Sequence, residues 1–310
     1  MTGGAVQFAG LHLSTNGLLR LVVLSRASET CRLVSTSEYS TALSATSLPA
    51  NIADLTQKLA GDVRSALSAF ERPMAVAFAL DDNWFQLRRV PLEIASADAR
   101  QNQIQWEAAQ ALLPPDSDFH VRCLASDRSG IWMAVRRQIV DGLERLAGDS
   151  DCIAAPPVPL PLALVRACEM NRESLCNGSP RLALVHVCES RAWLLSLAVS
   201  NDPAVSLELR SIETVPASVH GVSETDPVEG ALRWISGDRT LSDRYPGGER
   251  VVLTGEGPSL DRLVNRLPAA IPPFRLNPFS GIEDTHSPTT PEAYPPAAGA
   301  AWSLLNGDAS

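Results

Sequence analysis

The chain has almost no lysine. Lys58 is the sole one in 310 residues; arginine carries the other positive charges, and the net charge is −9. That balance leaves no basic stripe to track a phosphate backbone and excludes nucleic acid as a partner. Aromatic residues make up 5% of the chain, too few and too scattered for a stacking platform. No apolar run approaches the roughly 18–20 residues that span a bilayer. The start lacks a basic segment followed by an apolar run, so no signal peptide is expected. The six cysteines (Cys31, Cys123, Cys152, Cys168, Cys176, Cys188) form no CxxC, so no zinc site is expected. A chain of this length needs no disulfide scaffold, and free thiols in a reducing compartment are expected. The histidines (His12, His120, His186, His220, His286) show no HxH or HExxH spacing, and no GxSxG elbow occurs. No catalytic residue and no metal ligand is assigned.

What is present is ordinary globular material, 45% hydrophobic and 20% charged, with length for about two domains. Residues 7–13 and 18–24 predict two strands across an Asn16-Gly17 turn. Leu55, Leu59, Val63 and Leu67 recur at helical spacing. Residues 74–80 and 85–91 predict strands. Residues 96–113 predict a helix with Ile104, Ala108, Ala111 and Leu112 on one face, stopped by Pro114-Pro115. Further strands are expected at 120–125 and 131–135, then a helix at 138–146. The Pro-rich stretch 155–161 reads as a stiff hinge, and less as a polyproline ligand. Residues 182–187 and 192–199 repeat the opening strand pair, and 205–212 adds a strand. Residues 216–248 read as loop-rich around one amphipathic piece at Leu232 and Trp234. A strand at 251–254, a glycine loop and a helix at 260–267 follow. Residues 284–296 read as a surface loop and 297–305 as a closing helix of small residues. The repeated strand–turn–strand opening points to internal duplication.

Several ordered motifs then carry a resemblance. Leu87-Arg88-Arg89-Val90-Pro91-Leu92 precedes Glu107-Ala108-Ala109-Gln110 and Pro114-Pro115-Asp116. Trp132-Met133-Ala134-Val135-Arg136-Arg137-Gln138-Ile139-Val140 follows, and Leu276-Asn277-Pro278-Phe279 comes late. In this order the chain resembles, along nearly its whole length, the PilM family of type IV pilus assembly proteins, within the actin/FtsA/Hsp70-like ATPase superfamily. It is also related to the cytoplasmic part of type II secretion GspL. The resemblance implies an α/β fold: actin-like (ribonuclease H-like) duplicated domains with a small inserted α/β subdomain. Residues 1–73 would be the first half of domain 1 and 74–155 the insertion. A connecting helix would occupy 156–178 and domain 2 residues 179–283, with a loop and C-terminal helix (284–310) returning to the core.

The resemblance also places three nucleotide loops. The first has His12 where the superfamily offers a magnesium-ordering Asp, and Ser14 where it has a close-approach glycine. A neutral imidazole is a poor magnesium ligand. The second, Cys188-Glu189-Ser190-Arg191-Ala192, has no glycine. The third, Thr254-Gly255-Glu256-Gly257, keeps its outline between strand and helix. No cofactor is therefore expected. If ATP with magnesium binds, the residues to hold it are Ser14, Thr15, Asn16, Gly255, Glu256 and Gly257. The implied function is a cytoplasmic scaffold at the inner face of the inner membrane. It would bind the N-terminal cytosolic peptide of a PilN-like bitopic partner and touch the membrane only through that partner. The peptide groove would lie between insertion and core, with Arg88, Arg89, Val90, Trp106 and Gln110 as candidates. The alternative is an active ATPase or small-molecule kinase, with Glu189 or Glu256 supplying the carboxylate.

Overall fold

The structure is a computed structural model. It describes residues 6–14, 17–27, 30–41, 52–70, 74–81, 84–92, 96–112, 119–125, 129–177, 179–199, 207–216, 226–237, 249–284 and 287–305. The first half contains β1 (Val6–Leu13), β2 (Leu18–Ala27), β3 (Thr30–Ser40), α1 (Ile52–Leu67), β4 (Met74–Leu80), β5 (Phe85–Pro91), α2 (Ala97–Ala111), β6 (Phe119–Ala125), β7 (Ser129–Arg136), α3 (Arg137–Gly148), β8 (Cys152–Ala154), β9 (Val158–Pro159) and α4 (Leu160–Glu169). The second contains α5 (Arg172–Cys176), β10 (Arg181–Val187), β11 (Arg191–Val199), β12 (Leu207–Pro216), α6 (Pro227–Gly237), β13 (Glu249–Gly255), α7 (Gly257–Arg266), β14 (Phe274–Arg275), β15 (Glu283–Asp284) and α8 (Pro295–Leu305).

The two halves repeat one sheet plan. The first sheet runs β15-β3-β2-β1-β4-β8 and the second β12-β11-β10-β13-β14. In each, the opening strand pairs antiparallel with the second and parallel with the fourth. The second-to-third strand ladder slips at Val23/Leu24 in one sheet and at Ser196/Leu197 in the other. Those steps lie three residues after Arg20 and Trp193, which pair with His12 and His186 respectively. The duplication thus extends to an irregularity in the ladder.

Burial explains why these segments are strands. Leu21, Val22, Val23 and Leu24 of β2 are all fully buried, as expected when both faces of a sheet are covered. One face packs on α1 and α3; α8 covers the other. The largest apolar cluster runs without interruption from Leu11, Leu21 and Phe78 of the first sheet to Leu184, Trp193 and Val252 of the second. An apolar join of this kind holds two domains in a fixed relation more firmly than a polar hinge does.

The third sheet, β5-β7-β6, carries α2 on one face. Ser96 caps that helix by accepting a hydrogen bond from the Ala99 N–H, at 3.3 Å. Ile104 and Ala108 fill the space over Val90 and Trp132. This inserted unit starts after β4, later than the sequence boundary at residue 74. Met74–Leu80 hydrogen-bonds in parallel to β1, because its near-continuous apolar run suits a strand buried on both faces.

Helix α8 returns to the first domain. Its small residues allow backbone-close packing against β1 and α4. A Cβ on Gly10 would overlap the Ala297 carbonyl, and one on Gly299 the Ala163 carbonyl. Gly299→Ala is expected to cost on the order of 3 kcal/mol through overpacking. Gly61→Ala, in the open on α1 with nothing within 4 Å, should instead stabilise by up to about 1 kcal/mol. Urea unfolding midpoints of the two variants check the pair. The expectation at Pro114-Pro115, His220 and His286 lies outside the described residues.

Candidate functional site

The C-terminal ends of β1 and β10 meet across the cleft between the two sheets. His12 and His186 occupy the same place in their respective sheets and are buried, 3% and 2% exposed. His186 Nδ1 lies 2.8 Å from the Thr254 hydroxyl. His12 Nδ1 has no hydrogen-bond partner among the described residues. Burial, and after it the Arg20 cation, push His12 well below the usual imidazole range. The same two causes bring His186 down to about 3. Both are neutral at physiological pH.

Arg20 is the centre of the cleft. It projects from β2 beside His12 and is itself buried. Its Nε donates to Glu38 at 2.8 Å, and its other arm donates to the buried carboxylate of Glu256, from the loop after β13. The Tyr294 ring of the approach to α8 lies against the guanidinium, 6.0 Å from centroid to Cζ. Burial raises the Glu256 carboxyl, and Arg20 and the Ser14 hydroxyl oppose that shift. Gly255 shapes the loop: its φ is +142°, and a side chain there would strike the Val187 backbone. The Glu256 N–H donates to the Val187 carbonyl at 3.0 Å, which ties the loop to β10.

A second acid crosses the cleft in the other direction. Asp81 follows β4 and is 7% exposed. Burial raises its carboxyl, while Arg191 and the Trp193 indole of the opposite domain favour the charged form. Burial disfavours the charged form of Arg191 in turn, and the Asp81 charge opposes that shift.

Of the six nucleotide-loop candidates, the structure brings Ser14, Gly255, Glu256 and Gly257 together; Thr15 and Asn16 lie outside the described residues. Ser14 is buried and accepts from the Leu18 N–H at 3.3 Å. Gly257 opens α7 with φ +44°. The Glu256 carboxylate is committed to Arg20, a residue the loop comparison did not single out. Among the described residues no group of three or more His, Cys, Asp or Glu side chains could hold a metal ion.

The insertion offers a different feature. A small apolar pocket, about 420 Å³ with the adjoining open solvent counted in, lies at its root, walled by Leu13, Leu19, Leu59, Phe78, Trp84 and Leu143, with Asp81 on one side. The five groove candidates sit farther out. Arg88 and Arg89 are exposed on β5, and Gln110 and Trp106 on α2, Trp106 at 60%. Val90 is inside the insertion's own core with Leu92, Ile104 and Trp132. Pocket residues Leu13, Leu19 and Leu59 read in sequence as ordinary core, and nothing in their spacing marks a cavity.

No protein-family model matches the chain, and no curated protein matches it. Solved structures do. The PilM–PilN type IV pilus biogenesis complex aligns over 96% of this chain and 98% of that chain, with 15% identity and a TM-score of 0.66. A Bacteroides thetaiotaomicron protein of unknown function with an actin-like ATPase fold aligns over 88% and 91%, with 13% identity and a TM-score of 0.52. The cytoplasmic domain of EpsL, an inner-membrane component of the Vibrio cholerae type II secretion system, aligns over 96% and 95%, with 9% identity and a TM-score of 0.48. The two sheets of matching plan, the returning helix and the first two alignments agree: the chain has a PilM-like, actin-like ATPase fold, with a small α/β unit inserted in its first domain.

Proposed function

We propose that this protein is a cytoplasmic scaffold of a type IV pilus or type II secretion-like assembly. It binds the N-terminal cytosolic peptide of a PilN-like bitopic membrane protein at the inner face of the inner membrane. The observation that carries the reading is the apolar pocket at the root of the insertion. An extended peptide can seat an apolar side chain there while the exposed edges of the insertion's sheet receive its backbone. The similarity to one member of a PilM–PilN complex supports a partner of that kind. No helix among the described residues is long and apolar enough to cross a membrane.

The internal Arg20–Glu256 pair supports a cleft that works without nucleotide. A triphosphate would have to displace a buried carboxylate from the Arg20 cation, and no metal-binding cluster among the described residues offsets the charge.

The experiment is calorimetric titration of the whole protein with a synthetic peptide matching the partner's N-terminal cytosolic segment, with and without Mg-ATP. Saturable binding indifferent to ATP is the expected result. Trp84→Ala removes a half-buried pocket wall and should weaken the peptide about 10- to 100-fold, with little change in thermal midpoint. Absent peptide binding together with micromolar ATP binding and turnover would overturn the reading in favour of an ATPase or kinase.

A further inference from the structure

The duplication extends to the outer edges of the two large sheets, and there the halves differ. Arg20 pairs with His12 as Trp193 pairs with His186, and from these rows the third strands match residue for residue through the ladder slip. Arg32 and Leu33 of β3 pair with Ser25 and Leu24; Glu208 and Leu209 of β12 pair with Ala198 and Leu197. Arg32 and Leu33 therefore correspond to Glu208 and Leu209.

On β3 those two residues are covered. β15 runs parallel along them, Glu283 beside Arg32 and Asp284 beside Leu33, and Glu283 forms an ion pair with Arg32 at 2.5 Å. On β12 no strand among the described residues lies outside the sheet. An uncovered edge leaves every second N–H and C=O of the strand without a ladder partner. The charge is also reversed, since Glu208 stands where Arg32 stands. Its Oε2 receives Arg210 at 2.6 Å. Its Oε1 is buried and has no hydrogen-bond partner among the described residues. A buried carboxylate oxygen left unpaired carries a desolvation cost that an incoming donor offsets. Leu209, next to it, packs against the apolar core that joins the two domains, so the acid stands on an anchored strand.

We propose that the β12 edge at Glu208–Leu209 is a strand-addition site for an extended segment of a second protein, running parallel to β12 with an arginine or lysine beside Glu208. The segment does for domain 2 what β15 does for domain 1. Its main chain bonds to the open edge, and its cation meets the open oxygen of Glu208. The same acid repels an acidic strand of the β15 kind. None of the β12 residues lines the pocket at the root of the insertion, so this site stands whether or not that pocket takes a peptide. A chain with both sites can hold two partners at once.

The probe is a fluorescently labelled peptide copying residues 279–287 with Glu283→Arg, which is the β15 sequence with its charge reversed. Titrated against the full chain and read by anisotropy, it should bind saturably, about 10-fold tighter than the unaltered 279–287 peptide. Glu208→Arg should invert that preference. If Glu208→Arg fails to fold, Glu208→Gln replaces it and should cut the preference about fivefold, because it keeps the shape and removes the charge. Of two probe peptides N-methylated on alternate residues, one should lose about 10-fold in affinity and the other should keep it, since only one set of amides faces the edge. Hydrogen exchange should slow within residues 207–211 when the probe binds. Absent saturable binding, a preference unchanged by the Glu208 variants, equal losses for both methylated peptides, or protection within 30–36 instead of 207–211 overturns the proposal.

Discussion

Arg20→Met is expected to lower the unfolding free energy by about 3–5 kcal/mol, because it strands the Glu256 carboxylate in a buried site. In thermal terms this is a fall of roughly 6–20 °C. Glu256→Leu should cost less, since Arg20 retains Glu38 at 2.8 Å and a Tyr294 ring over its guanidinium. The double variant Arg20→Met/Glu256→Leu should return to within about 1–2 kcal/mol of the parent. Apolar residues of similar volume carry no desolvation cost, and Glu38, 39% exposed, can turn to water. Chemical denaturation of the four proteins gives the coupling directly as a double-mutant cycle. Additive losses in the double variant would mean that the two side chains do not depend on each other.

This cleft was partly legible in the sequence. An arginine inside the apolar run Leu18-Leu19-Arg20-Leu21-Val22-Val23-Leu24 is a signal in itself: a charge on a buried strand demands a partner. The partner's identity was not legible, because Glu256 stands 236 residues away and only the meeting of two domains brings it near. Glu256 reads locally as part of a strand–glycine–helix loop, which is correct for the backbone and silent about the side chain. The duplicated opening hairpins were legible because both are dense in apolar residues around a tight turn. The strand β3, Thr-Cys-Arg-Leu-Val-Ser-Thr-Ser-Glu-Tyr-Ser, was not. It has little apolar alternation, and its place comes from pairing with the already buried β2 and from the two-residue contact of β15 on its far side.

The insertion shows a different limit. Its secondary structure follows from periodicity: Ile104 and Ala108 face inward, and Trp106, two positions from each, faces water. Which of its surfaces faces a cavity depends on how the unit is rooted on the first sheet. Sequence motifs pointed to the outer residues Arg88, Arg89, Trp106 and Gln110. The concavity lies instead where Trp84 and Leu143 meet Leu13, Leu19 and Leu59, contributed by five separate elements or connections. No local spacing encodes such a meeting.

Acid should destabilise the protein through its two cleft histidines. Each is held neutral in the folded state, His186 down to about 3 and His12 well below the usual range. The unfolded chain takes up their protons near pH 6.5, so stability is complete above that value and falls as pH drops toward the folded values. Between pH 7 and 5 the loss is about 2 kcal/mol per histidine. Asp81 and Glu256 act with the opposite sign, since their raised carboxyls bind protons more readily folded than unfolded. Their contribution grows as pH falls toward about 4 and is common to parent and variant. Urea unfolding at pH 7, 6 and 5, for the parent and for His12→Gln/His186→Gln, isolates the histidine part: the parent should lose about 4 kcal/mol more than the variant across that range. Parallel profiles would mean that the histidines take up protons in the folded state at the same pH as in the unfolded chain, and so are charged in the fold at pH 5. Two imidazolium groups would then sit beside the buried Arg20 cation with Glu256 and Glu38 as the nearby carboxylates, an arrangement whose repulsion the observed closed cleft could not sustain.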